Sequence, residues 1–256
     1  MRITALTENT TEYDFPVEHG LSLYIEALGH KILFDTGQSE IFAENAERLG
    51  VDLSAVDIAV LSHDHYDHGG GIKKFHELNS TAPVYMSKYV FGDHCHGDRY
   101  IGIDKSLRNS GRIILTDGVT KIADGLTLYD CNDREKVIDL GSFGLTMTKN
   151  GRQVPDDFRH EHYLLIEENS KRVLISGCSH KGIINIQNWM NPDVLVGGFH
   201  FMDIEIGEKL ASYAKTLDKF DTVYYTCHCT GVEQYTFMKK HMKNLNYIST
   251  GKTIVI

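Results

Sequence analysis

Four prolines in 256 residues are too few for a Pro-rich linker, and no low-complexity tract or fixed-period repeat interrupts the chain. One domain spanning residues 1–256 is the expectation. No apolar run approaches the roughly 18 residues of a membrane span, so no membrane partner is expected. Basic residues are outnumbered, 26 Lys and Arg against 35 Asp and Glu. The net charge of −9 argues against a broad grip on nucleic acid, which needs a basic face. It leaves room for a local basic patch and an anionic small-molecule substrate. Met1-Arg2-Ile3-Thr4-Ala5-Leu6 runs straight into strand-like sequence without a signal-peptide pattern. A cytoplasmic location is therefore expected.

Cysteine is sparse: Cys95, Cys131, Cys178, Cys227 and Cys229, an odd number with no Cys-x-x-Cys. That argues against a disulfide framework and a structural zinc knuckle. Gly69-Gly70-Gly71 lacks the Gly-Lys-Ser/Thr that would make a phosphate loop. No Gly-x-Ser-x-Gly elbow offers a serine nucleophile.

What is present is a normal supply of core-forming residues, 41% apolar, arranged as short apolar runs alternating with segments of helical period. Leu21–Ala27 and Lys31–Phe34 flank Gly29-His30 and read as a hairpin. Tyr163–Glu167 and Arg172–Ile175 read as another. Ile58–Leu61 reads as a buried strand, with further strands at Val194–Val196, Thr222–Thr226 and Thr253–Ile256. Helices are expected over Ile41–Leu49, Ile183–Met190, Glu205–Phe220 and Val232–Lys243. Hairpins mixed with crossover helices predict α/β layers with mixed sheets. Phe91–Arg112 reads as an irregular polar loop over a site.

Fourteen histidines are in the chain, and three of them fall in His63-Asp64-His65-Tyr66-Asp67-His68, directly after the Ile58–Leu61 strand. Three imidazoles and two carboxylates in six positions are costly to pack unless a cation compensates. Borderline divalent ions take such N and O donors. In extended or turn backbone His63 and His65 point the same way and can chelate one ion. Asp67 and His68 can then turn toward a neighbouring one.

His-x-His-x-Asp-His after a buried strand resembles the signature of the metallo-β-lactamase superfamily. Phe34-Asp35-Thr36-Gly37 extends the likeness upstream. Glu18-His19-Gly20-Leu21-Ser22, Gly177-Cys178-Ser179-His180-Lys181-Gly182, Gly197-Gly198-Phe199-His200 and Cys227-His228-Cys229-Thr230-Gly231 resemble one branch of it. That branch comprises predicted metal-dependent hydrolases and includes an archaeal dihydropterin ribofuranosylaminobenzene phosphate synthase. The resemblance implies a four-layer αββα sandwich with metals at the joined sheet edges. It implies one or two divalent ions, zinc first and manganese, iron or nickel as alternatives. His63, His65 and His180 are then ligands of a first ion, and Asp67, His68 and His228 of a second. Cys178 stands where relatives commonly have a bridging Asp; it either ligates as thiolate or is a small buried residue. His160 or His162 could replace His180. Asp35 is implied to anchor the metal loop by hydrogen bonds.

Asp64, among the ligands without being one, is the candidate general acid or base, and His200 a second candidate at the substrate. His94-Cys95-His96 reads as a surface or lid element, and Arg99, Lys105 and Arg108 are candidates to hold an anion. The implied activity is metal-assisted hydrolysis of an ester, phosphoester or related small substrate. Two alternatives stand beside it: a synthase-like transfer that displaces pyrophosphate, and a non-catalytic, metal-dependent binding protein.

Overall fold

In the computed structural model, which describes Met1–Ile256, two seven-stranded sheets pack face to face. The first runs, in spatial order, Thr253–Val255, Arg2–Thr7, Ser22–Ala27, His30–Phe34, Ile58–Val60, Val84–Ser87 and Ile113–Thr116. The second runs Leu245–Tyr247, Val223–Thr226, Val194–Val196, Lys171–Ile175, Tyr163–Glu168, Leu126–Tyr129 and Val119–Ala123. Each sheet is antiparallel on one side and parallel on the other.

Period-two alternation sorts the side chains into layers. Ile32, Phe34, Ile58 and Val60 of the first sheet meet Leu164, Ile166, Val173 and Ile175 of the second in a dry core between the sheets. Their neighbours Leu33, Ala59 and Leu61 face the other way, against Phe42, Ala46 and Phe75 of the helices Ile41–Arg48 and Ile72–Leu78. Leu165, Leu174 and Leu195 likewise pack on the helices Ile183–Met190, Glu208–Leu217 and Val232–Met238. The fold is the expected αββα sandwich of mixed sheets. Both expected hairpins form. Each turns through two left-handed residues, Leu28 and Gly29 in one, Asn169 and Ser170 in the other, which matches the twist of the strands they join.

Two expectations need correction. The helices expected over Glu205–Phe220 and Val232–Lys243 are shorter, Glu208–Leu217 and Val232–Met238; beyond Met238 the chain turns, though Met242 still packs into the core. Phe91–Arg112 lies over the cavity as expected but is not wholly irregular. It supplies His94–His96 and Arg99–Tyr100 to a third sheet, completed by Leu145–Lys149 and Arg152–Pro155. Strands of two or three residues are too short to show alternation, and their partner strand lies far along the chain. No helix is long and apolar enough to cross a membrane.

Candidate metal centre

The donor residues gather at the C-terminal ends of parallel strands, where open α/β sheets form their crevices. His63–His68 follows Ile58–Val60, His180 follows Lys171–Ile175, His200 follows Val194–Val196, and His228 follows Val223–Thr226. Asp35, Ser179, His200 and His228 all adopt left-handed backbone, with φ between +48° and +60°. Such conformations persist where the surroundings over-determine them. Gly177 must lack a side chain, because a Cβ there would lie 2.2 Å from Ser62 Oγ.

Donor atoms of His63, His65 and His180 lie within 4.8 Å of one another, as do those of His63, His68 and Cys178, and those of His19, Asp67 and His228. His63 Nε2 is 3.3 Å from His180 Nε2, and His68 Nε2 is 3.2 Å from His228 Nε2 and 3.1 Å from Cys178 Sγ. Asp67 Oδ2 is 3.3 Å from His228 Nε2 and 3.8 Å from His68 Nε2.

Outer partners dictate which nitrogen faces inward. Asp35 Oδ2 accepts from His68 Nδ1 at 2.7 Å, and Asn9 Oδ1 accepts from His228 Nδ1 at 2.7 Å. Ser62 Oγ donates to Asp35 and so accepts from His63 Nδ1 at 2.8 Å. Each Nε2 is thereby left with its lone pair toward the cluster. His65 Nε2 and His180 Nδ1 are buried and have no hydrogen-bond partner. Burial, reinforced by the neighbouring imidazoles, keeps His63 and His180 well below the usual histidine pKa. Burial likewise lowers His65 to about 3 and His228 to about 4. Against burial, Asp35 and Asp67 raise His68, and His68 holds Asp67 well below the usual carboxylate range. Neutral imidazoles and an ionised carboxylate are the forms that bind metal, so His68, unlike His63, His65, His180 and His228, would give up a proton on ligating. The donor set fits one or two divalent ions.

Residues 16–188 match the metallo-β-lactamase superfamily. The chain belongs to that superfamily. A metallo-β-lactamase fold typically binds divalent metals such as zinc. An uncharacterized protein of Methanocaldococcus jannaschii is 31% identical over 99% of this chain and 100% of its own length. From the same organism, 7,8-dihydropterin-6-methyl-4-(β-D-ribofuranosyl)-aminobenzene-5'-phosphate synthase is 29% identical over 99% of this chain and 96% of its own length. Among solved structures, Tm1679, described as a metal-dependent hydrolase of the β-lactamase superfamily, superposes with a TM-score of 0.86 at 26% identity, covering 100% of this chain and 99% of that one.

Several residues of this metallo-β-lactamase-fold chain sit differently from expectation. Asp64 does not line the cavity. Its carboxylate is fully buried, 2.6 Å from His94 Nδ1 and 2.8 Å from His160 Nδ1, and His160 Nε2 is 3.3 Å from Asp156 Oδ2. Against burial, Asp64 and then Asp156 push His160 up to about 10. These contacts turn Asp64 away from the cavity lining. His94, expected in a surface or lid element, is buried beside Asp64. His162 Nε2 donates to Leu61 O at 2.7 Å; the His160 ring lies 5.3 Å from that of His65 but is engaged by Asp64 and Asp156, whereas His180 shares a donor cluster with His63 and His65.

The cavity over the donors, about 210 Å³, is lined by His19, His65, Asp67, Cys178, His180, His200 and His228, with Tyr66, His96, Arg99, Phe143 and Asp203 among its walls. The His200 ring stands 4.3 Å from those of His180 and Phe143, and burial lowers it to about 4. Of the three cations expected to hold an anion, only Arg99 lines this cavity; Lys105 pairs with Asp93, and Arg108 stacks on Phe91. A larger groove of about 810 Å³ beside the helix Ile41–Arg48 contains no histidine or cysteine and lacks the donors for this chemistry. Residues that the sequence reading passed over include Asn9, Ser62 and Glu161, whose Oε2 accepts the His180 N–H at 2.6 Å. Asn9 and Glu161 have partners remote in sequence, and Ser62 adds to its neighbour His63 a distant bond to Asp35.

Proposed function

We propose that this protein is a metal-dependent hydrolase of a small ester, phosphoester or related substrate. His63, His65 and His180 would hold a first ion, Asp67, His68 and His228 a second, with Cys178 completing the set as a thiolate. The observation that carries the reading is the set of inward-facing Nε2 atoms of His63, His68 and His228, each fixed by an outer hydrogen bond. Divalent ions in such a site, zinc first, supply Lewis acidity and make water acidic enough to react near neutral pH. The chain's own part is positional. Asp35, Ser62 and Asn9 lock the ligand rings, the third sheet covers the cavity, and His200 faces it beside His180. With Asp64 sequestered, His200 is the residue assigned to accept or return a proton at the substrate.

Metal analysis of wild type, His65→Ala and His228→Ala tests the assignment. Two ions in wild type and selective loss of one in each variant is the expected result, together with loss of hydrolysis of phosphoesters, lactones or thioesters. Full metal content and full activity in His65→Ala would refute it. The synthase relative, similar across nearly the whole chain, favours a second reading as a transferase displacing pyrophosphate. Under that reading, pyrophosphate appears only when a pterin and a ribofuranosylaminobenzene phosphate are supplied together.

A further inference from the structure

The third sheet brings an unpaired cation, Arg99, to the cavity. His94–His96 and Arg99–Tyr100 form a hairpin turning at Gly97, whose φ is +59°. Its register places Leu145, His96 and Arg99 directly opposite one another on adjacent strands. Side chains so paired share one face of a sheet, and all three line the cavity. The hairpin is tied to the metal loop: Tyr66 N–H donates to Ile101 O at 2.8 Å, and His65 bridges Gly102. The Arg99 guanidinium lies 4.7 Å from the centre of the Tyr66 ring, so an aromatic face between two candidate ligands fixes where it stands.

Arg99 enters no ion pair or side-chain hydrogen bond, whereas Lys73, Lys88 and Lys105 on neighbouring elements each have a carboxylate partner. Arg99 is exposed, and its place at the cavity wall is what sets it apart from Arg108, which is unpaired too but lies outside the cavity. The carboxylates lining the same cavity are Asp67, already engaged with His228 and His19, and Asp203. Neither pairs with Arg99. The guanidinium keeps all five donors for a ligand, in the fork geometry that matches a phosphate or phosphonate. Its paired neighbour His96 adds an imidazole on the same face.

We propose that Arg99, assisted by His96, binds a non-reacting phosphate group of the substrate while the reacting bond lies over the donor cluster. The substrate class is thus a small organic phosphate whose scissile bond is separate from the phosphate that anchors it. This assignment rests on the hydrolytic reading for its reacting end, but the binding contact is measurable without turnover.

The test uses zinc-loaded protein and calorimetric titration with phosphonoacetate, 3-phosphonopropionate and 4-phosphonobutyrate, each beside the simple carboxylate of equal length. The carboxylate end serves the donor cluster and the phosphonate end serves Arg99. Wild type is expected to bind at least one phosphonate about tenfold to a hundredfold more tightly than its matched carboxylate. Arg99→Ala should abolish that preference while zinc content and carboxylate affinity stay within about twofold. Arg99→Lys, which keeps the charge and loses the fork, should retain part of it. Equal phosphonate affinity in wild type and Arg99→Ala overturns the proposal, as does a wild type that shows no preference for any homologue. Absence of ester hydrolysis with the preference intact would count against the hydrolytic reading alone.

Discussion

Each imidazole offers two nitrogens, and much of this site is decided by what holds the outer one. Asp35 and Asn9 accept from Nδ1 of His68 and His228, so the Nε2 lone pairs of these proposed ligands are aimed into the cluster by the protein alone. Protons then report on the ligands. Burial pushes the Cys178 thiol well above its ordinary pKa, so a thiolate there requires an ion to displace the proton. Zinc titration of wild type in buffers of different ionisation enthalpy should release about one proton more than titration of Cys178→Ser. Equal release would mean that Cys178 is a spectator. The sequence made the candidate donors legible because six polar positions in a row after an apolar strand have few other uses. It hid Asn9 and Glu161, because one amide or carboxylate in a polar stretch carries no periodic or motif signal. It misdirected the reading of Asp64 for a related reason: adjacency to ligands in sequence says nothing about which way a side chain turns. Here the carboxylate turns away from the cavity, toward His94 and His160.

That turn joins two elements. His94 opens the first strand of the third sheet and Asp156 follows the last strand, so Asp64, His94, His160 and Asp156 fasten the sheet to the metal loop through buried charges. Removing one member leaves the others buried and incompletely paired. Asp64→Ala is expected to cost about 3 kcal/mol of stability in urea unfolding. Amide exchange over His94–Tyr100 should rise in the same variant. An unchanged exchange pattern would mean that the sheet is held by its other contacts. Long strands and amphipathic helices were readable from periodicity, and the helix Ile183–Met190 has the expected limits. The third sheet was not, since its short strands are specified by distant pairing and by this network rather than by local pattern.

For the molecule as a whole, buried neutral histidines set the response to acid. His162 lies outside the donor set, and burial depresses it to about 4. Above pH 6.5 it is neutral folded or unfolded and carries no penalty. As pH falls from about 6.5 to about 4, the unfolded chain binds a proton that the folded chain refuses, so stability is lost. For this residue the loss reaches about 3 kcal/mol. Metal-free His162→Gln should therefore lose less stability than metal-free wild type between pH 7 and pH 4, as followed by thermal unfolding. His65 and His228, lowered in the same way, add to the acid sensitivity of both. The spread of the donors along the chain has a consequence for biosynthesis. On the ribosome, His63–His68 emerges well before the strand that carries His228 has been made. The nascent segment is then an open chelator, and open nitrogen-rich chelators favour copper over zinc. The complete set of proposed donors exists only in the folded molecule, once the late parallel strands of the second sheet have brought His180 and His228 into place.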